Sequence, residues 1–395
     1  MTKRRINIDF NLMENYIFAP QNSTNKSAMK KTITCLFALL FISFSCTEPT
    51  PNSPLGGGNQ NKNEEEKNDT IVVDDKEDED DNKDKEDEDK DVHSKLAKVF
   101  KMSKLHVEGA SLLNEDDSIV QLTGVSYGWH NWWPRFYNSG TVSEFANVWG
   151  ATVLRAAMGV EPEGSYLTNP TNAKEKVFAI VDAAIKDSIY VIVDWHAHDI
   201  HTEETKRFFV EVATKYKGVP NVLYEIYNEP TDKYKWATVK AHAIEVIKAI
   251  REVEEDAIII VPTPNWDQLV DQVADDPIEG YENIMYTLHF YAASHTQWHR
   301  NKAIYALKKG LPMFVTECAS MSHTGDGAIN KAEWNAWLEL LDENCISWIT
   351  WSVSDKDESC SMLFPTASST GAWTNAAIKP WGKIVKEELQ SRKKQ

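Results

Sequence analysis

The stretch VLYEIYNEP, residues 222–230, is an apolar run that finishes on an amide, a carboxylate and a proline. Parallel strands covered on both faces are apolar along their length, and in a closed α/β barrel they show polar groups where they emerge at the C-terminal face, where such barrels carry their functional groups. The pattern predicts a buried strand over 222–228 that delivers Asn228 and Glu229 to that face. A carboxylate placed there calls for a reactive partner at the end of another strand.

Seven further runs have the same character: QLTGVSY (121–127), TVLRAAM (152–158), YVIVDWH (190–196), AIIIVPT (257–263), NIMYTLHF (283–290), MFVTECA (313–319) and ISWITWSV (346–353). Helical stripes lie between them, such as Phe208, Phe209, Val212, Ala213 and Tyr216, or Trp334, Trp337, Leu338 and Leu341. Eight strand and helix pairs over residues 94–390 predict a (β/α)8 TIM barrel. A doubly wound open sheet fits less well, because the turn after the first strand lacks the GxGxxG run of a dinucleotide site. The barrel places Arg155, His196, Glu229, His289, Tyr291, Glu317 and Trp351 at or near the C-terminal ends of six strands.

Two glutamates on separate strand ends suit hydrolysis of a glycosidic bond, in which one group protonates the departing oxygen and the other attacks or directs water. Trp351 offers a flat apolar platform for a sugar ring. Arg155, Asn228 and Tyr291 offer hydrogen bonds that orient the carboxylates and hold their pKa values apart. Taken singly, a glutamate at a strand end is often only solvated, and a histidine such as His196 is often satisfied in the core. Arg155 says more, since an arginine inside an apolar strand requires a buried anion.

Polarity is unevenly spread along the 395 residues. Residues 47–93 are almost free of apolar side chains, and residues 61–91 hold 17 Asp or Glu against 6 Lys, a net −11 of the chain's formal −18. Such a segment buries too little apolar surface to offset its ordering entropy and is expected to be a disordered acidic linker. Upstream, MKKTITCLFALLFISFSC (29–46) has two lysines before an apolar stretch too short to span a membrane, the form of a secretory signal. It resembles a bacterial lipoprotein signal with Cys46 as the lipidated residue, although Ser43 and Phe44 depart from the preferred small-residue pattern; a cleaved signal without lipid is the other reading. Met29 is then the natural initiator, and residues 1–28 an upstream extension. The expectation is an exported protein held at the outer membrane or cell surface through its lipid, or secreted. The remaining charge forms no basic patch, which argues against nucleic acid. Cys318, Cys345 and Cys360 have no metal-ligand spacing and leave room for one disulfide, such as Cys345 with Cys360.

The stretches GVSYGWHNWW, TVLRAAMG, YVIVDWHAH, NVLYEIYNEP, NIMYTLHFYAASH, FVTECAS and ISWITWSVSDKDES, running in this order over roughly residues 104–385, resemble glycoside hydrolase family 5 of clan A, within it the bacterial endoglucanase (cellulase) subfamily. The resemblance implies a retaining endo-β-1,4-glucanase that acts on a β-1,4-linked glucan, expected to work as a monomer with no metal or organic cofactor. It implies Glu229 as general acid/base, Glu317 as nucleophile, and Arg155 and Asn228 as their orienting partners. His196 and His289 become sugar or carboxylate contacts, Tyr291 the neighbour of the nucleophile, Trp351 the platform at the cleaved sugar, and Lys356 and Glu358 contacts on the rim. Retention implies carboxyl groups about 5–5.5 Å apart. Related enzymes carry a histidine two positions after the serine of the first strand motif. Here Ser126 is followed by Tyr127 and Gly128, so His130 or Trp132 is the expected replacement. A tryptophan commonly follows the nucleophile, and Cys318 is expected to open space at the base of the cleft. Trp266 is an outer sugar platform or packs under its own loop. The competing functions are a β-glycanase acting on mannan, xyloglucan or mixed-linkage glucan, and a carbohydrate-binding protein without catalysis.

Overall fold

The computed structural model describes residues 102–393. The expected upstream extension, the signal segment with Cys46, and the acidic linker lie outside the described residues. The described chain begins with a hairpin, β1 (His106–Glu108) and β2 (Ser111–Leu113), turned at Gly109 with a φ of 56°. Eight strands follow: β3 (Thr123–Tyr127), β4 (Val153–Gly159), β5 (Tyr190–His196), β6 (Val222–Glu225), β7 (Ile259–Val261), β8 (Ile284–Tyr291), β9 (Met313–Ala319) and β10 (Ser347–Val353). They close into a parallel barrel in the order β10-β3-β4-β5-β6-β7-β8-β9, as the eight apolar runs predict. β6 is shorter than expected. Beyond Glu225 the chain keeps scattered bonds to both sides, Ile226 N to Ile260 O, Asn228 N to Trp195 O and Glu229 N to Ala197 O, but no regular ladder.

Inward positions of the strands change character along the barrel axis. Val153, Ile192, Leu223, Met285 and Phe314 form an apolar plug at the N-terminal end, closed from below by Leu105, Leu112 and Leu122. Two residues further along each strand the side chains are Arg155, Asp194, Glu225, Thr287 and Thr316, all fully buried. The period-2 alternation of a strand thus stacks a charged layer on an apolar one. Gly124 lets β3 approach β4: a Cβ there would sit 1.7 Å from the Val153 carbonyl oxygen.

β9 carries a bulge that both neighbours register. Its pairing with β8 steps from Thr287↔Phe314 to His289↔Glu317, and with β10 from Trp348↔Val315 to Thr350↔Cys318. One extra residue in β9 allows Thr316 and Glu317, adjacent in sequence, both to reach the interior.

The helices ring the barrel: α1 (Ser139–Ser143), α2 (Pro170–Lys186), α3 (Thr202–Lys215), α4 (Trp236–Arg251), α5 (Val270–Asp275), α6 (Gln297–Lys308), α7 (Lys331–Glu343) and α8 (Pro380–Arg392). The stripes predicted on α3 and α7 are buried against the sheet. Asn169, followed by Pro170, caps α2 by accepting the amide of Asn172. Among the described residues no helix is long and apolar enough to cross a membrane.

Cys318, Cys345 and Cys360 are free thiols, so the disulfide offered for Cys345 and Cys360 does not form. Cys345 lies just before β10, and Cys360 packs beside Ser352 near its far end. The strand between them spans about 20 Å, beyond the roughly 7 Å that a disulfide bridges.

Candidate active site

Arg155 organises the C-terminal end of the barrel. Its Nε donates to Glu225 Oε2 at 2.7 Å and its Nη2 to Glu225 Oε1 at 3.2 Å, while Nη2 also reaches Asn228 Oδ1 at 2.5 Å and Asp194 Oδ2 at 3.0 Å. Nη1 donates to Glu317 Oε2 at 3.0 Å. Burial alone would weaken its charge, but Asp194, Glu225 and Glu317 hold it firmly protonated. The buried anion required by an arginine in an apolar strand is therefore three carboxyl groups. Two of them, Glu225 and Asp194, were not read from the sequence as site residues, although each is a charged residue within an apolar strand just as Arg155 is.

Glu317 is clamped from a second side, where Tyr291 Oη donates to its Oε1 at 2.7 Å. Both oxygens are thus fixed by donors, one cationic and one neutral. Burial pushes the Tyr291 phenol up, with Glu317 adding to the effect, so the hydroxyl keeps its hydrogen.

Glu229 is held by histidines. His289 Nδ1 stands 2.8 Å from Oε1 and His198 Nε2 3.5 Å from Oε2. Burial alone would raise this carboxyl, but the two imidazoles hold it well below the usual carboxylate range. His198 was missed in the sequence, where it sits two residues past the end of β5. Asp267 was missed as well: its Oδ2 approaches His289 Nδ1 at 3.3 Å from the turn after β7. Glu229, Asp267 and His289 bring three potential ligand atoms within 4.8 Å. A ring hydrogen directed at both carboxyl groups accounts for this convergence without an ion.

Aromatic groups flank the carboxyl groups. The His196 ring stacks parallel to Trp351, with centroids 5.2 Å apart and planes 3° apart, and its Nδ1 lies 2.6 Å from Asp194 Oδ2. Burial keeps His196 neutral and raises Asp194 to about 7 against the pull of Arg155. Trp129 stacks on Trp132 at 4.7 Å and on His198 at 5.7 Å, forming an aromatic ledge beside Glu229. His130 is fully buried, and its Nδ1 accepts the Gly159 amide at 3.0 Å, so it is part of the wall. Trp266 is 36% exposed, and its amide donates to the Pro230 carbonyl oxygen, which ties it to the Asn-Glu-Pro turn. Lys356 and Glu358 pair with each other at 2.5 Å. Cys318 does not open the cleft floor: its thiol is enclosed in the wall and donates to the Ile349 carbonyl oxygen at 3.3 Å.

Residues 113–357 match the cellulase family, glycosyl hydrolase family 5. Among curated relatives, endoglucanase Z of Dickeya dadantii (strain 3937) is 42% identical over 274 residues, covering 68% of this chain and 62% of the relative. An endoglucanase of Clostridium saccharobutylicum is 39% identical over 292 residues, covering 72% and 65%. The chain therefore spans less than two thirds of the length of these relatives. Among solved structures, the catalytic domain of Thermobifida fusca endoglucanase Cel5A, in a variant complexed with cellotetraose, superposes with a TM-score of 0.70 at 34% identity, covering 73% of this chain and 98% of that one.

Proposed function

The chain belongs to glycosyl hydrolase family 5, and from that premise we propose that it is a retaining endo-β-1,4-glucanase with Glu317 as nucleophile and Glu229 as acid/base. The observation that carries the assignment is the unequal treatment of the two carboxyl groups. Arg155 and Tyr291 fix both oxygens of Glu317, which suits an anion poised to attack. Glu229 is bound only by titratable imidazoles, which suits a group that gains and loses a proton.

In the first step Glu317 attacks the anomeric carbon while Glu229 gives its proton to the departing oxygen. Glu229, which His198 and His289 hold ionised, takes up that proton from solvent before the step, on the Oε2 side that faces His198. In the second step Glu229, now ionised beside His289, takes a proton from the water that releases the glycosyl enzyme. Trp351, braced against His196, carries the sugar at the cleavage point, and Trp266 and the Lys356–Glu358 pair contact the chain further out. The leader ending at Cys46 and the acidic stretch over residues 47–93 belong to the same reading: an exported enzyme tethered through a lipidated Cys46.

Product analysis on a panel of soluble β-1,4-glucan, mixed-linkage glucan, xyloglucan and mannan tests the proposal. A rapid fall in viscosity of the β-1,4-glucan with release of short cello-oligosaccharides is expected. Faster turnover of mannan or xyloglucan would overturn it.

A further inference from the structure

Thr316 has a single hydroxyl hydrogen, and its Oγ1 stands 2.6 Å from Glu225 Oε1 and 2.9 Å from His289 Nε2. Glu225 already accepts from Arg155 at both oxygens, so it acts as an acceptor and receives the Thr316 hydrogen. Oγ1 must then accept a hydrogen from Nε2 of His289. At the other edge of the ring, Nδ1 faces Glu229 Oε1 at 2.8 Å and Asp267 Oδ2 at 3.3 Å. Facing an ionised Glu229, Nδ1 donates as well, and a ring that donates at both nitrogens is an imidazolium. Glu229 can balance that charge only while it is ionised, yet the first step of the reaction requires it to be protonated.

Asp267 is built into the place where a second counter-ion is needed. Asn265, Trp266 and Asp267 take φ values of 59°, 54° and 56°, a left-handed turn that residues with a Cβ rarely make in succession. The turn leaves the Asp267 side chain fully buried. Its Oδ1 accepts from the Thr263 amide at 2.6 Å and from the Thr287 hydroxyl, while Oδ2 has no hydrogen-bond partner of its own and is aimed at His289.

We propose that Asp267 is a positioning residue, the standing counter-ion of His289, and that by keeping the imidazolium charged it holds the Glu229 proton on the oxygen facing the cleft. The inference rests on the acid/base assignment of Glu229. When Glu229 is protonated, its Oε1 accepts from Nδ1 of His289, which leaves Oε2 to carry the reacting proton. Asp267 remains ionised throughout and never meets the sugar.

Other charged groups act on this ring from the neighbouring strands, Asp194 from β5, Glu225 from β6 and Glu317 from β9, with Arg155 of β4 one contact further out on Glu225 and His198, after β5, on Glu229. His295 and His299, behind the ring, are pushed down by burial to about 4 and about 3 and stay neutral, as do the phenols of Tyr227 and Tyr291. Burial alone would lower His289, but Asp267 and then Glu229 hold it up at about 9. Burial also raises the Asp267 carboxyl against the pull of His289. The hydrogen bonds from Thr287 and from the Thr263 amide act with His289 against that rise.

The test is Asp267→Asn, close in shape and neutral. Removing a negative charge eases loss of the first proton from the Glu229–His289 pair. The basic limb of the kcat/KM profile on β-1,4-glucan should therefore move to lower pH by about one unit or more. Above neutral pH, activity on glucan should fall about tenfold, while the release of phenol in the first turnover of an activated aryl cellobioside, which needs no acid, falls much less. Nitrogen-15 NMR of the wild-type imidazoles should show His289 protonated at both nitrogens at neutral pH, and the folded variant should lose that state at lower pH. A folded variant with an unmoved basic limb overturns the proposal. So does a neutral His289 in the wild type, a result that stands even if the variant fails to fold. Absence of glucanase activity in the wild type would instead sink the functional assignment and leave the titration of His289 to be read on its own.

Discussion

Arg155 Nη1 lies 3.0 Å from Glu317 Oε2, and the same guanidinium is locked by Nε to Glu225 Oε2 at 2.7 Å. One side chain thus connects the carboxylate proposed as nucleophile to one sealed inside the barrel. Arg155→Met leaves Glu225 and Asp194 buried without a countercharge, and a loss of about 3–5 kcal/mol in stability is expected. Arg155→Lys keeps the charge but cannot span Glu225, Asn228 and Glu317 at once, because an ammonium lacks the planar fork. The lysine variant should fold, with kcat/KM down by about 100-fold or more. Thermal melts beside initial rates would separate the two effects, and wild-type rates in the lysine variant would refute the positioning role.

The two glutamates should fail differently. Glu317→Ala removes the proposed nucleophile, so even an activated aryl glycoside should turn over very slowly. Glu229→Ala removes acid assistance. Natural glucan should suffer severely, while the activated substrate gives a burst of phenol followed by a slow steady rate. Azide should rescue that variant and yield a β-glycosyl azide, since two inversions restore the starting configuration; an α product would reverse the assignment. Proton NMR of early wild-type hydrolysis should likewise show the β anomer first.

Acid sensitivity should be traceable to single buried histidines. Burial pushes His130 down to about 4, against about 6.5 in an unfolded chain. Between those values the unfolded chain binds a proton that the folded one refuses, so stability falls as pH drops through that window, by up to about 1.4 kcal/mol per pH unit for this one group. Asp194, raised to about 7 by burial, acts in the opposite sense, because the folded form keeps a proton that the unfolded form releases. His130→Asn retains an acceptor for the Gly159 amide. It should lose less stability than wild type between pH 6.5 and 4, measured by denaturant unfolding at each pH. Parallel losses in the two proteins would show that His130 carries its charge inside the fold.

The tether is open to a simple fractionation. In a bacterial host, the proposed lipidated protein should sediment with membranes, and limited proteolysis of residues 47–93 should release an active catalytic body. Cys46→Ala should move the protein to the soluble fraction. An unchanged membrane fraction would exclude the lipid.

By itself the sequence determined the barrel and the two glutamates at its mouth. Eight apolar runs with polar ends are a local pattern, and a strand that must be buried on both faces can place Glu229 or Glu317 only where it leaves the sheet. Arg155 likewise announced a buried anion. Which anion was decided by tertiary structure: Glu225 and Asp194 meet Arg155 only because closure brings the inward faces of β4, β5 and β6 together. The bulge in β9, which lets Thr316 and Glu317 share one interior, leaves no trace in the run MFVTECA, whose period alone would send one of them outward. Asp267 and His198 lie in turns with no period to read, and their partners, His289 and Glu229, are distant in sequence. His130, expected at the cleft, was claimed instead by a backbone amide of the next strand. The apolar pattern sets which strands form and which way they face, because burial is a property of each side chain. The pairing of charges is a property of the closed ring.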